Sequence, residues 1–292
     1  MSAAPASVTS TAVALVAADG VRFAVRRDDP SRRRRTTPVL ALHGVPDDGR
    51  SFEALAAVLR SDRMVLRPDL PGLGASELRG PYDTATVAGR LAALVMHATD
   101  GLAGDGRVDV VGHDWGGVVG LALAAARPDL VRRLVVLNAP YRTLAWHRAA
   151  HVPFFALPAL PELAFRLGGR PLTRAMVRAA WQAATPPPPE LLDAAAGYAS
   201  SARTTAMLGY YRAAARHRSA ARIGPVAVER ALVVWGAEDP VLTLSVAAAA
   251  MRELQVGTPN TRQITVPGAG HWPHLEAPSA VLPAIAAFLR AE

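Results

Sequence analysis

The 292-residue sequence contains no cysteine. Disulfides, thiolate metal centres and a cysteine nucleophile are therefore excluded, and the composition fits a cytoplasmic protein. Lysine is also missing: all 32 basic residues are arginines, set against 24 acidic residues for a formal charge of +8. A basic balance can signal a nucleic-acid partner. Here the arginines are scattered, apart from the run "RRRR" at 32–35, which falls where an exposed loop is expected. That run reads as solvated, and no nucleic-acid partner is expected. A charge-free apolar stretch of membrane-spanning length is lacking too, so no transmembrane helix and no membrane partner are expected. The N-terminal stretch "MSAAPASVTSTAVALVAADG" has an apolar patch without a basic region before it. It reads as a short disordered lead into a strand and not as a signal peptide.

What is present is an alternation. "TAVALVAADGVRFAVRR" reads as two short strands around an Asp-Gly turn. "TPVLALHG", "RMVLRPDLPG", "RVDVVGHD" and "RRLVVLNAP" are apolar runs of buried-strand length. "DGRSFEALAAVLRS", "TATVAGRLAALVMHAT" and "WGGVVGLALAAARP" lie between them with helical spacing, the last ended by Pro128. The pattern resumes late with the strands "ERALVVWGAEDP" and "RQITVPGAGHW" and the helices "SVAAAAMRELQ" and "SAVLPAIAAFLRAE". Strands alternating with helices imply an α/β fold, a mostly parallel sheet with helices on both faces. Residues 141–225 break the alternation. They are helix-like, rich in Ala, Arg and Pro, and carry the loop "TPPPPE" at 185–190. The expected organisation is a core formed by 1–140 and 226–292 and a helical cap inserted at 141–225.

The stretch "GHDWGG" at 112–117 places an aspartate where an apolar strand meets a helix. Small residues on either side of Asp114 are what a sharp strand-to-helix turn needs. Asp114 is then either a helix-capping carboxylate or a nucleophile. A carboxylate is ionised at neutral pH and needs no base to activate it. Three further stretches favour the nucleophile. "LALHGVP" sets a loop after an early strand, where the Val45 N–H and the Trp115 N–H would converge on one oxygen as an oxyanion hole. "WGAEDP" puts Asp239 just past a late strand, with Glu238 as the neighbouring alternative. "GAGHWPHLEAP" puts His271 just past the last strand. The chain order nucleophile, acid, histidine is that of the α/β-hydrolase triad. His113, His274 and His43 read as turn packing, loop surface and loop hydrogen bonding.

Through "HGVP", "DLPGLGAS", "GHDWGG", "GAEDP" and "GHWPHLEAP" the chain resembles the epoxide hydrolase and haloalkane dehalogenase group of α/β-hydrolases over nearly its whole length. The resemblance implies a two-step reaction. Asp114 attacks carbon to form an ester, and His271, oriented by Asp239, activates the water that cleaves it. Some relatives place the acid after the earlier strand, where this chain has Asn138.

The resemblance also bears on the leaving group. Epoxide hydrolases usually supply two cap tyrosines as proton donors. Tyr211, in "GYYR", takes one position, with Tyr210 as the alternate register. His151 stands at the other, and imidazole can also donate a hydrogen bond to an epoxide oxygen. Haloalkane dehalogenases hold halide with a Trp after the nucleophile, which Trp115 matches, and with an oxyanion-loop Asn, where this chain has Val45. Fluoroacetate dehalogenases carry cap His, Trp and Tyr, matched here by His151, Val152 and Tyr211, and an Arg beside the nucleophile that is missing here. The apolar segment "HVPFFALPALPELAF" reads as a lipophilic wall. The expected pocket comprises His43, Trp115, Phe154, Phe155, Tyr210 and Trp272. The expected activity is conversion of a small apolar epoxide to a vicinal diol, without metal or organic cofactor. The alternatives are a hydrolytic dehalogenase or a non-catalytic ligand-binding protein. Assembly is left open between monomer and homodimer.

Overall fold

A computed structural model describes residues 12–31, 37–100, 105–142, 151–217 and 222–291. The expected N-terminal lead and the arginine run at 32–35 lie outside the described residues, apart from residue 12 onward. Eight strands form one sheet in the order β1-β2-β4-β3-β5-β6-β7-β8. They are β1 (Val13–Ala18), β2 (Val21–Asp28), β3 (Val39–Leu42), β4 (Val65–Pro68), β5 (Val108–His113), β6 (Val131–Leu137), β7 (Arg230–Gly236) and β8 (Thr261–Val266). β1, β2 and β4 pair antiparallel; from β4 to β8 every pairing is parallel.

The apolar runs become strands buried on both faces because their side chains alternate between two cores. Leu40, Leu42, Val110, Leu134, Val136 and Val233 point to one face. There they meet α2 (Thr84–Thr99), α3 (Trp115–Ala126) and α8 (Leu244–Gly257) through Leu91, Val119, Leu123 and Val246. Val39, Ala41, Val111, Val135 and Val234 point to the other. They meet α1 (Glu53–Leu59) and α10 (Pro278–Arg290) through Leu55, Leu59 and Ile285. The expected helix after the third strand begins as a 3-10 turn at Gly49–Phe52.

Between β6 and β7 the chain inserts α4 (His151–Ala156), α5 (Leu160–Ala180), α6 (Pro189–Gly197) and α7 (Ser201–His217). α5 is broken at Gly169, whose φ of 51° and ψ of −147° interrupt the helix. A further short helix, α9 (Pro273–Glu276), follows the last strand; sequence periodicity did not indicate it.

Candidate active site

Asp114 stands between β5 and α3 with φ 48° and ψ −122°, a strained conformation for a residue with a side chain. The turn closes only because its neighbours are small. A Cβ on Gly112 would lie 2.5 Å from the Gly116 carbonyl oxygen, and one on Gly44 would lie 2.5 Å from the Asp114 Cβ. Asp114 makes no side-chain cap to α3. No cap hydrogen bond of that kind holds the side chain, and the carboxylate faces the cavity. Its Oδ2 accepts the Val45 N–H at 2.9 Å, and the Trp115 backbone N–H lies near enough to favour the charged form of the same carboxylate. Both N–H groups expected to line an oxyanion hole thus neighbour this carboxylate. Burial raises the Asp114 pKa above the ordinary carboxylate value, while His271 and the two N–H donors oppose the rise.

His271 Nε2 lies 3.9 Å from Asp114 Oδ1, and its Nδ1 lies 2.9 Å from Asp239 Oδ2. The first gap is too long for a direct hydrogen bond. Burial disfavours the imidazolium, but the charge and hydrogen bond of Asp239, with Asp114 and Glu276, prevail and hold the His271 pKa up at about 9. Asp239 itself is buried, which favours its neutral form, yet His271 and Asn138 outweigh burial and keep it below the usual range. Its Oδ1 accepts the Val241 and Leu242 N–H groups. Glu238, the alternative acid, is exposed and accepts the Gly268 N–H.

A cavity of about 440 Å³ opens beside these groups. Asp114, His271, Val45, Pro46, Trp272, Pro240 and Val241 line it from the sheet side; His151, Phe155, Met176, Ala179, Ala180 and Tyr211 line it from α4, α5 and α7. Tyr211 and His151 meet edge to face at 5.9 Å. Burial pushes the Tyr211 hydroxyl upward, the nearby Asp114 charge adds to this, and a hydrogen bond from Trp115 opposes it. Burial and the His271 charge lower His151 to about 4, so both groups are uncharged at neutral pH, and each carries an N–H or O–H. Among the described residues, no group of three or more His, Asp and Glu is arranged to hold a metal ion.

Four expected wall residues lie behind the cavity. His43 is fully buried: it bonds the Gly44 carbonyl through Nδ1 and accepts the Leu70 N–H at Nε2. Tyr210 is fully buried, with its hydroxyl donating to the Pro71 carbonyl at 2.8 Å and its ring stacked on Tyr82. The register therefore places Tyr211, and not Tyr210, in the cavity. Phe154 packs onto the core behind Phe155. The Trp115 ring turns away to pack edge-on against Tyr211 at 5.1 Å. His274, expected at a loop surface, is buried and bonds Ser51 at 2.8 Å.

Three supporting residues were not identified from sequence. Asn138 donates to Asp239 Oδ2 at 2.6 Å and to the Gly270 carbonyl, and accepts the Gly236 N–H. His113 Nε2 bonds the His271 carbonyl at 2.7 Å. Glu276 accepts the N–H groups of Gly270 and Trp272 on either side of His271, and also those of Gln182 and Ala183. The one available signal was the Asn at the end of β6, in a position that relatives use for the acid.

The model of the Alpha/beta hydrolase family matches residues 39–284. The AB hydrolase superfamily protein YfhM of Bacillus subtilis (strain 168) is 25% identical over 86% of this chain and 90% of its own length. Epoxide hydrolase 3 of Xenopus tropicalis is 28% identical over 99% of this chain and 81% of its own. The solved structure of epoxide hydrolase CorEH without ligand superposes with a TM-score of 0.77 at 21% identity, over 95% of this chain and 98% of that one. At that identity it supports the fold alone.

Proposed function

Since the chain belongs to the alpha/beta hydrolase family, we propose that it is an epoxide hydrolase, opening a small apolar epoxide to a vicinal diol through an ester on Asp114. The observation that carries this reading is the arrangement across one cavity: a carboxylate with one oxygen tied to the Val45 N–H, and two neutral donors, Tyr211 and His151, on the facing helices. The similarity to epoxide hydrolases agrees with it.

In this reading Asp114 Oδ1, the oxygen facing His271, attacks an epoxide carbon. The carbon–oxygen bond breaks, and Tyr211 or His151 gives its proton to the departing alkoxide. Loss of the Asp114 charge on esterification removes one of the influences that raise His271, so the imidazole sheds its own proton more readily and stands neutral, able to accept one. The 3.9 Å gap gives a water a place beside Nε2. His271 takes that water's proton as its oxygen adds to the Asp114 carbonyl carbon. The Val45 and Trp115 N–H groups receive the charge that develops on Oδ2. Collapse breaks the bond from the Asp114 carboxyl carbon to Oδ1; the departing diol oxygen takes the proton held by His271, and the proton left on the new Asp114 carboxyl returns to the Tyr211 or His151 that gave one up, which frees Asp114 as a carboxylate. Residues 141–225 act as the cap and 1–140 with 226–292 as the hydrolase core. No metal or organic cofactor takes part, and the site of action is the cytoplasm. A halide clamp fits less well, because position 45 is Val and the Trp115 ring packs on Tyr211.

Intact-mass spectrometry of His271→Gln, incubated with panels of epoxides and haloalkanes, tests the reading. The expected result is an adduct of the whole epoxide that is absent when Asp114→Asn is added. An adduct of the alkyl group without its halogen would make the protein a dehalogenase. Tight binding with no adduct in either panel, unchanged in Asp114→Asn, would make it a binding protein.

A further inference from the structure

A row of leucines lies exposed on the inserted helices. Leu157 is 45% exposed, Leu160 51%, Leu163 48% and Leu167 76%. The last three recur at spacings of three and four, so they share one face of the first half of α5. The opposite face is buried through Pro161 and Phe165. This half-helix is bounded by two left-handed residues, Ala159 at φ 61° and Gly169 at φ 51°. Single exposed leucines are ordinary on a protein surface, but a continuous row on one helix marks a contact.

Charge indicates what covers it. Arg166 and Arg170 stand exposed next to the row. Glu162, the one carboxylate of α5, is paired with Arg212. Residues 151–217 carry seven arginines against three carboxylates, Glu162, Glu190 and Asp193. A second copy docking face to face would press like charges together. An anionic lipid surface takes both features, with leucines at the acyl boundary and guanidinium groups at the phosphates.

We propose that the Leu160–Leu163–Leu167 face of α5 docks onto an anionic membrane surface. The expectation of no membrane partner rested on the lack of a spanning run. No described helix is long and apolar enough to cross a membrane, but a surface contact does not require one. The location serves an apolar substrate: Phe165 packs against Phe155 at 5.7 Å, and Phe155 lines the cavity. One aromatic layer thus separates the docking face from the pocket. The contact itself is independent of the reaction at Asp114.

Co-sedimentation of the full chain with phosphatidylcholine vesicles, with and without phosphatidylglycerol, tests this at low and high salt. Because a chain of charge +8 adheres to anionic lipid by charge alone, the deciding variant is L160S/L163S/L167S, which leaves the charge unchanged. It is expected to partition about tenfold less into phosphatidylglycerol vesicles than the wild type, with an unaltered melting curve. L167S alone, at the most exposed position, is expected to show about a threefold loss and serves if the triple variant folds poorly. R166Q/R170Q is expected to weaken binding at low salt only. Equal partitioning of the leucine variants and the wild type would overturn the proposal. So would a concentration-dependent dimer, lost in the triple variant, in a wild type that ignores vesicles; that result would assign the face to a second copy.

Discussion

His271 sits between two carboxylates, and its proton affinity reports on both. Burial alone would depress it, yet Asp239 and Asp114 together hold it at about 9. Asp114→Asn removes one attraction while leaving the shape intact. Titration by NMR should show the His271 pKa falling by about one unit or more in that variant; an unchanged value would mean that the 3.9 Å approach carries no coupling. The stability linkage has a definite sign. A histidine raised in the folded state stabilises fully below its unfolded pKa near 6.5, and that contribution fades as pH rises toward 9. Asp114→Asn should therefore flatten the decline in melting temperature across that window. Asp114, Asp239 and His271, which the structure brings together, were legible in sequence because each follows an apolar run and is bracketed by glycine or a turn. Asn138, His113 and Glu276 were not, because they act by bonding groups in other segments of the chain, most of them about a hundred residues away. His43 and Tyr210 misled for the same reason: their polar atoms are consumed by backbone partners that only the folded loop supplies.

At the scale of elements, strands and flanking helices were readable because burial on both faces demands uninterrupted apolar runs. The inserted helices were readable only as helical, since alanine-rich composition favours helix without marking where a helix turns, and the break at Gly169 carries no periodic signature. Charged positions within the strands were harder still. Asp109 lies in β5 between two arginines, with its Oδ2 2.7 Å from Arg63 Nη1 and 2.6 Å from Arg132 Nη2, and it is fully buried. Arg63 and Arg133 in turn bond the Leu289 carbonyl of α10. This cluster ties β5, β6 and α10 together at the end of the sheet away from Asp114. Asp109→Ala would leave buried guanidinium charges uncompensated, at an expected cost of about 3–5 kcal/mol in urea unfolding. Five residues of strand, roughly 16 Å, separate it from Asp114. Turnover by the folded fraction should thus stay within about twofold of wild type; a larger loss of turnover without a loss of stability would contradict a structural role.

For the molecule as a whole, the question is how the inserted helices keep register with Asp114 and His271, which the sheet carries. Two tyrosines and an arginine fasten the insertion directly: Tyr198 donates to the Asp47 carbonyl, Tyr210 to the Pro71 carbonyl and Arg203 to the Ser76 carbonyl. A further fastening is Glu276. Its carboxylate gathers N–H groups from Gly270 and Trp272, which flank His271, and from Gln182 and Ala183 just after α5. The His271 N–H adds a bond to the Ala180 carbonyl at the end of α5. One side chain therefore sets the histidine loop and the far wall of the cavity in the same frame. Glu276→Ala removes an acceptor shared by four donors while leaving Asp239, Asp114 and the cavity lining in place. Hydrogen exchange should then speed up by about tenfold or more at Gly270, Trp272, Gln182 and Ala183 together, with the exchange of β5 and β6 unchanged. Loss of Glu276 also removes a charge that raises His271, so its pKa should fall as well. Faster exchange confined to the histidine loop, with Gln182 and Ala183 still protected, would show that the insertion is held without Glu276, by contacts such as those of Tyr198, Tyr210 and Arg203.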